Sequence, residues 1–192
     1  MCLRRVLFLT CHILALGIPW RDAWAAAEPG TVSGDVTPAG TDIFTNGGFE
    51  DGLAGWLPSP GQVLVSEPKH VRSGSSSLMG EVTDKNKALH LRRKISVRAG
   101  HLYQIRIWAK ATNYTKLVIF AVWPGAQPNQ RVRIEDFDKL PSKWAAYDAV
   151  FTPETVGEME LQIIAPSSFG ADGRPGKIWL DDIALYEAVP PA

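Results

Sequence analysis

Cysteine is nearly missing from this chain of 192 residues: Cys2 and Cys11 are the only two. Both fall in an amino-terminal stretch that reads as a leader. Beyond residue 27 there is none, which excludes disulfides, cysteine nucleophiles and thiolate metal sites from the folded part. An exported domain without disulfides has to be held by a full-sized core, by a metal, or by both. An excess of one charge is lacking too. Without Arg4, Arg5, Arg21 and Asp22 the chain carries 17 basic and 19 acidic residues. No basic stripe alternates with aromatics, so nucleic acid is not an expected partner. Histidine is scarce. His70, His90 and His101 stand at no metal-pair spacing and beside no recognisable nucleophile, and they read as surface or turn residues. No apolar run reaches the roughly 20 residues of a membrane span, and no amphipathic helical period shows.

What is present begins with that leader. Arg4 and Arg5 give a positive start, and residues 6–18 form an apolar run broken by Thr10, Cys11, His12 and Gly17. Ala23-Trp24-Ala25 offers the small residues of a cleavage site. Residues 1–27 therefore read as a secretory signal, with an uncleaved anchor as the alternative. The mature chain is expected to be secreted, periplasmic or at the cell surface. Residues 28–41 are rich in Gly, Pro, Thr and Ser and read as a flexible linker. The folded domain is expected over 42–188, with a tail at 189–192. Removing the leader leaves about 165 residues, enough for one core.

Across that domain the pattern is β. Short runs rich in Val, Ile, Leu, Tyr and Trp alternate with turn residues at intervals of roughly ten. The spacing predicts strands over 42–45, 62–66, 77–82, 88–97, 102–111, 117–123, 131–137, 145–151, 159–165 and 177–186. With no helices to cover a parallel sheet, the fold class is all-β, a jelly-roll sandwich of two antiparallel sheets.

Alternation also assigns faces. In 102–111, Tyr103, Ile105, Ile107 and Ala109 form the apolar set, and Gln104, Arg106, Trp108 and Lys110 point the other way. In 177–186, Trp179, Asp181, Ile183 and Leu185 fall on one face, so a carboxylate shares the core side. A carboxylate near a core needs a hydrogen-bonding partner, an opposite charge or a metal. Glu50, in Asn46-Gly47-Gly48-Phe49-Glu50-Asp51-Gly52, is a second carboxylate beside apolar Phe49. First and last strands of a sandwich often lie close together. Two carboxylates with turn carbonyls suit Ca²⁺. Hydrogen bonds from turn amides, or an ion pair to a nearby Arg or Lys, would satisfy them equally.

The opening motif continues into Gly55-Trp56, and the chain closes with Ile178-Trp179-Leu180-Asp181-Asp182-Ile183-Ala184-Leu185-Tyr186. These resemble the two end signatures of CenC-like carbohydrate-binding modules, the jelly rolls grouped as families 4, 9 and 22. Ser73-Gly74-Ser75-Ser76-Ser77-Leu78, the stretch from Val97 through Gly100 and Tyr103 to Lys110, and Trp144-Ala145-Ala146-Tyr147 with Phe151-Thr152-Pro153 match in the same order. The resemblance implies one structural Ca²⁺ held by Glu50 and Asp181 with backbone oxygens near Gly48 and around 72–75. It also implies a secreted module that binds a polysaccharide or glycan without cleaving it, here expected as a monomer.

A protein grips a sugar by stacking an aromatic ring on it and hydrogen-bonding its hydroxyls. The outward row Gln104, Arg106 and Trp108 has that composition, and Trp123 is a second stacking candidate. Tyr114, Arg131 and Arg133 would border the surface. Trp56, Trp144 and Trp179 read as structural. The strand over 117–123 is apolar on both faces, which marks either a covered central strand or a protein interface. The alternative function is accordingly a protein-interaction or cell-surface module of the same fold. A small glycosidase or polysaccharide lyase is more distant. Glu135, Asp136 and Asp138 cluster too tightly for a carboxylate pair facing across a cleft, and no catalytic residue is expected.

Overall fold

The computed structural model describes residues 36–81, 88–113, 116–124, 131–166 and 174–190. The expected leader, both cysteines and Tyr114 lie outside the described residues. Among the described residues eleven strands follow in chain order: β1 (Thr37–Ala39), β2 (Leu57–Pro58), β3 (Gln62–Val65), β4 (Ser77–Glu81), β5 (Leu89–Val97), β6 (Tyr103–Thr112), β7 (Lys116–Val122), β8 (Arg131–Asp138), β9 (Ala145–Phe151), β10 (Gly157–Ala165) and β11 (Lys177–Val189). Among the described residues the sole helical element is a single 3₁₀ turn, Pro68–His70.

The strands form two antiparallel sheets, the layers of a jelly-roll sandwich. The larger has the order β3-β4-β11-β6-β9, with β1 also on β11. The smaller has the order β2-β5-β10-β7-β8. β10 is paired along all nine residues with β5, and β11 with β6 over most of its length. The core lies between the layers. Tyr103, Ile105 and Ile107 of β6 meet Leu117 and Ile119 of β7 and Met159, Leu161 and Ile163 of β10, all essentially without exposure. Burying each such side chain contributes about 1.5–3 kcal/mol, which is how a chain without disulfides holds together.

Three expectations are corrected. Residues 42–45 form no strand. Instead Leu185 N donates to Asp42 Oδ1 at 2.9 Å and Ile43 N to the Leu185 carbonyl at 2.7 Å, so the segment is pinned to β11 before it turns. Thr37–Ala39, inside the expected linker, pairs with Glu187–Val189 as β1, and β11 runs to Val189, inside the expected tail. A Pro-containing segment is tolerated because it lies at a sheet edge.

The third correction concerns faces. The β11–β6 ladder shifts register between Asp181 and Ala184, and Asp182 takes a left-handed backbone with φ 44°. A bulge inserts one residue and reverses the alternation beyond it. Ile178 and Leu180 face the core before the bulge, and Ile183 and Leu185 after it. Trp179 and Asp181 pair with Lys110 and Trp108 on the opposite, outer face. Asp181 is completely buried all the same, because the segment leading into β4 lies over it.

Candidate functional site

The opening motif folds into a turn organised by one side chain. Asn46 Nδ2 donates to the carbonyls of Gly52 (3.0 Å) and Ala54 (3.2 Å), and its Oδ1 accepts from Asp51 N (3.0 Å). Trp56 Nε1 donates to the Asn46 carbonyl at 2.8 Å, fixing the indole as the structural residue the sequence suggested. Gly47 presses against the β11 bulge. Its carbonyl accepts from Ile183 N at 3.0 Å, and a Cβ on it would stand 1.8 Å from the Ile183 carbonyl oxygen. Only glycine fits there.

This turn brings Glu50 to the segment that covers Asp181. Glu50 accepts from Ser75 N, Ser76 N and the Ser75 hydroxyl, which hold its carboxyl below the usual range. Asp181 Oδ2 accepts from Arg72 N (2.9 Å) and Ser73 N (3.3 Å), and Oδ1 from Asp182 N (2.8 Å). Burial nevertheless pushes its carboxyl up to about 6, and the neighbouring Asp182 charge adds to the effect. The turn amides that the sequence allowed as partners are therefore in place. No group of three or more His, Cys, Asp or Glu side chains stands in metal-holding geometry among the described residues. Yet three carboxylate side chains converge where Gly48 lacks one. A Cβ there would stand 3.3 Å from Asp182 Oδ1, 3.8 Å from Asp181 Oδ1 and 4.0 Å from Glu50 Cγ. Asp181 and Asp182 thus bring two carboxylate oxygens, hard donors of the kind Ca²⁺ takes, to this gap, whereas Glu50 presents Cγ here and turns its carboxylate to Ser75 and Ser76.

The outer face of the larger sheet carries three of the expected sugar contacts, each engaged by the protein itself. Arg106 makes a two-pronged bond to Asp148 at 2.8 and 3.0 Å. Gln104 is buried and donates to the same carboxylate. The Arg72 guanidinium lies 4.0 Å over the Trp108 ring and is pinned there by Asp182 at 2.6 Å. His70 stacks on Trp179 at 4.4 Å. Beside this cover, a cleft of about 480 Å³ is lined by Arg106, Trp108, Tyr186, Arg72, Asp42 and Asp182. Trp123 does not join them. It follows β7 in the other sheet, and its indole packs against the core, as its parity with Leu117, Ile119 and Ala121 requires.

The smaller sheet presents a different outer face. The registers align Arg92, Gln162, Phe120 and Arg133 across β5, β10, β7 and β8. The adjacent row is Lys94, Glu160, Val122 and Arg131. Phe120 is half-buried, with the Arg131 guanidinium 4.3 Å and that of Arg133 5.9 Å from its ring centre. Gln162 Nε2 donates to Glu160 at 2.7 Å. An aromatic flanked by amide and guanidinium groups, set across four strands, can stack on a pyranose and bond its hydroxyls. Arg131 and Arg133 are residues that the sequence places at the border of a sugar surface. Phe120, Arg92 and Gln162 are not, although each has outward parity on its strand. In a run that is apolar on both faces, nothing in the composition separates an outward phenylalanine from the core residues beside it.

Residues 41–168 match the family described as a carbohydrate binding domain. No curated protein matches. Among solved structures, one similar to this chain is a family 61 carbohydrate-binding module in complex with β-1,4-galactotriose. It is 14% identical, covers 77% of this chain and 99% of its own, and has a TM-score of 0.57. The C-terminal family 22 carbohydrate binding module of a Clostridium thermocellum protein is 14% identical over 81% of this chain and 99% of its own, with a TM-score of 0.56. The CBM22-1 xylan-binding domain from Paenibacillus barcinonensis is 15% identical over the same shares, 81% and 99%, with a TM-score of 0.57. At such identities these likenesses establish the fold.

Proposed function

Because the chain belongs to the carbohydrate-binding domain family, we propose that it is a non-catalytic module that binds a polysaccharide on the outer face of its smaller sheet, around Phe120. The leader read in residues 1–27 adds that it works outside the cytoplasm. One observation carries the choice of face. One face of the Trp108 ring is covered by an arginine pinned to Asp182, whereas Arg131 over Phe120 has no carboxylate partner among the described residues and so no ion pair to break in making way for a sugar. A flat row across four strands also suits an extended polymer better than the cleft beside Trp108.

Calcium enters this reading as a structural ion. Glu50 and Asp181 would hold it, with main-chain carbonyls of the neighbouring turns, and its charge would neutralise the crowding of Asp181 against Asp182. Those residues lie under the larger sheet's outer cover, so an ion held by them would support the fold rather than grip sugar.

The test is a calorimetric titration of the whole chain with a panel of neutral and acidic polysaccharides. Phe120→Ala is expected to weaken binding about tenfold or more without changing the melting temperature, and Trp108→Ala to leave affinity unchanged. The reverse pattern would move binding to the cleft of Arg106 and Trp108. Absence of binding to every polysaccharide would overturn the function, and release of reducing ends from a bound polymer would overturn the non-catalytic part.

A further inference from the structure

The smaller sheet's outer face is more basic than a neutral sugar requires. His90, Arg92 and Lys94 stand on β5, with Arg131 and Arg133 on β8. β10 and β7 lie between, so the two backbones are about 14 Å apart. From β8 the side chains of Arg131 and Arg133 reach over β7. Two guanidinium groups converge on the Phe120 ring, Arg131 at 4.3 Å and Arg133 at 5.9 Å. The fields of Arg131 and Arg92 overlap at His90, whose acidity is raised first by burial and then by these two charges.

Some of this charge is balanced within the face. Arg133 meets Asp136 at 3.1 Å and Lys94 meets Glu158 at 3.0 Å. Glu160 sits between Lys94 and Val122 in its row, held by Gln162. Arg92 and Arg131 are different. Among the described residues neither has a carboxylate within ion-pair distance. On the larger sheet's outer face, by contrast, Arg72 and Arg106 are matched to Asp182 and Asp148. Among the described residues the arginines of one outer face are matched, and two on the other have no counter-charge within ion-pair distance. Like charges gathered in this way repel one another, and an anion between them removes the cost. A guanidinium fork matches the planar carboxylate in two parallel hydrogen bonds, so the fitting anion is a carboxylate.

We propose that the ligand of this face is an acidic polysaccharide whose uronic-acid carboxylates are taken by Arg92 and Arg131 while a sugar ring stacks on Phe120. This deepens the carbohydrate reading and rests on it. The same basic face is a poor fit for nucleic acid. Among the described residues its outer rows offer Phe120 and the imidazole of His90 as the rings to stack on, and Glu158, Glu160 and Asp136 are interleaved with the cations.

The experiment titrates the whole chain with polygalacturonate, alginate and glucuronoxylan, with the same polygalacturonate after reduction of its carboxyls to neutral alcohols, and with dextran sulfate and single-stranded DNA. At least one uronate polymer is expected to bind, to lose about tenfold or more in affinity on carboxyl reduction, and to weaken with added salt. Arg92→Gln and Arg131→Gln are each expected to cost about tenfold toward that polymer, with an unchanged melting temperature showing that the fold is intact. A neutral glycan bound as well as the acidic one, and equally by both variants, would overturn the acidic preference while the carbohydrate reading stands. Binding of dextran sulfate or DNA as tight as the best uronate would overturn the carboxylate assignment in favour of plain ion exchange. No binding to any glycan would overturn both readings.

Discussion

Gly74 leaves open the space that the Glu50 carboxylate fills: a Cβ on Gly74 would stand 2.3 Å from Oε1 of Glu50. The backbone at Gly74 is also left-handed, with φ 66°. The Ser75 and Ser76 amides reach Glu50 only from that turn. Gly74→Ala is therefore expected to cost about 1–2 kcal/mol from the backbone alone, and more from displacing Glu50. A lowered urea midpoint with unchanged far-ultraviolet dichroism would show it. An unchanged midpoint would mean that the turn relaxes freely.

Asn46 is the other end of the same argument. Its side chain satisfies two carbonyls and one amide in a turn that also seats Trp56. Asn46→Ala leaves these groups short of partners, at about 2–3 kcal/mol. Denaturant unfolding measures the loss directly, and the same substitution should shrink any stabilisation by added calcium, because it loosens the turn that presents Glu50.

Calcium itself should raise the melting temperature. A ligand that binds only the folded chain contributes about 2.7 kcal/mol at one hundred times its dissociation constant. For a domain of this size that is roughly 5–10 °C between EDTA and saturating calcium. Glu50→Gln should shrink the difference. Equal melting temperatures with and without the ion would remove it from the account.

Asp181 gives the pH dependence an unusual sign. The carboxyls of Glu50, Asp136 and Glu187 are lowered by their partners, so their contributions are lost as pH falls. Burial raises Asp181 from 3.8 to about 6. The folded chain therefore holds this proton more tightly than the unfolded chain, and the contribution is complete below the unfolded value and lost as pH rises through about 6. In EDTA, the stability advantage of the native chain over Asp181→Asn should narrow between pH 4 and pH 6, roughly the interval between the two acidities. Calcium, which favours the ionised carboxylate, should reverse that trend. A widening gap in EDTA would contradict the assignment.

Strand alternation was legible because the two layers bury every second residue. Nine of the predicted spans coincide with β3 to β11 to within a few residues. The face of Asp181 was not legible, because the bulge at Asp182 reverses the pattern without an obvious residue to announce it. Its burial was anticipated, but the cover comes from a segment 109 positions away in sequence. Sheet membership was equally hidden. Trp108 and Trp123 look like neighbours in a list of tryptophans, yet β6 and β7 are consecutive strands in opposite layers. The row of Arg92, Gln162, Phe120 and Arg133 exists only in the register between strands. Composition within any one strand does not contain it.

The short β1 strand has a mechanical consequence. Thr37 pairs with Val189 and Ala39 with Glu187, so the two ends of the folded domain lie side by side. Tension applied between them would open those pairs singly, from the outermost inward, like a zipper rather than a joint loaded in shear. The start of β11 is gripped on both edges by β4 and β6 and would not share that load until β1 had gone. A pull on this module would undo its fastening before it reached the core.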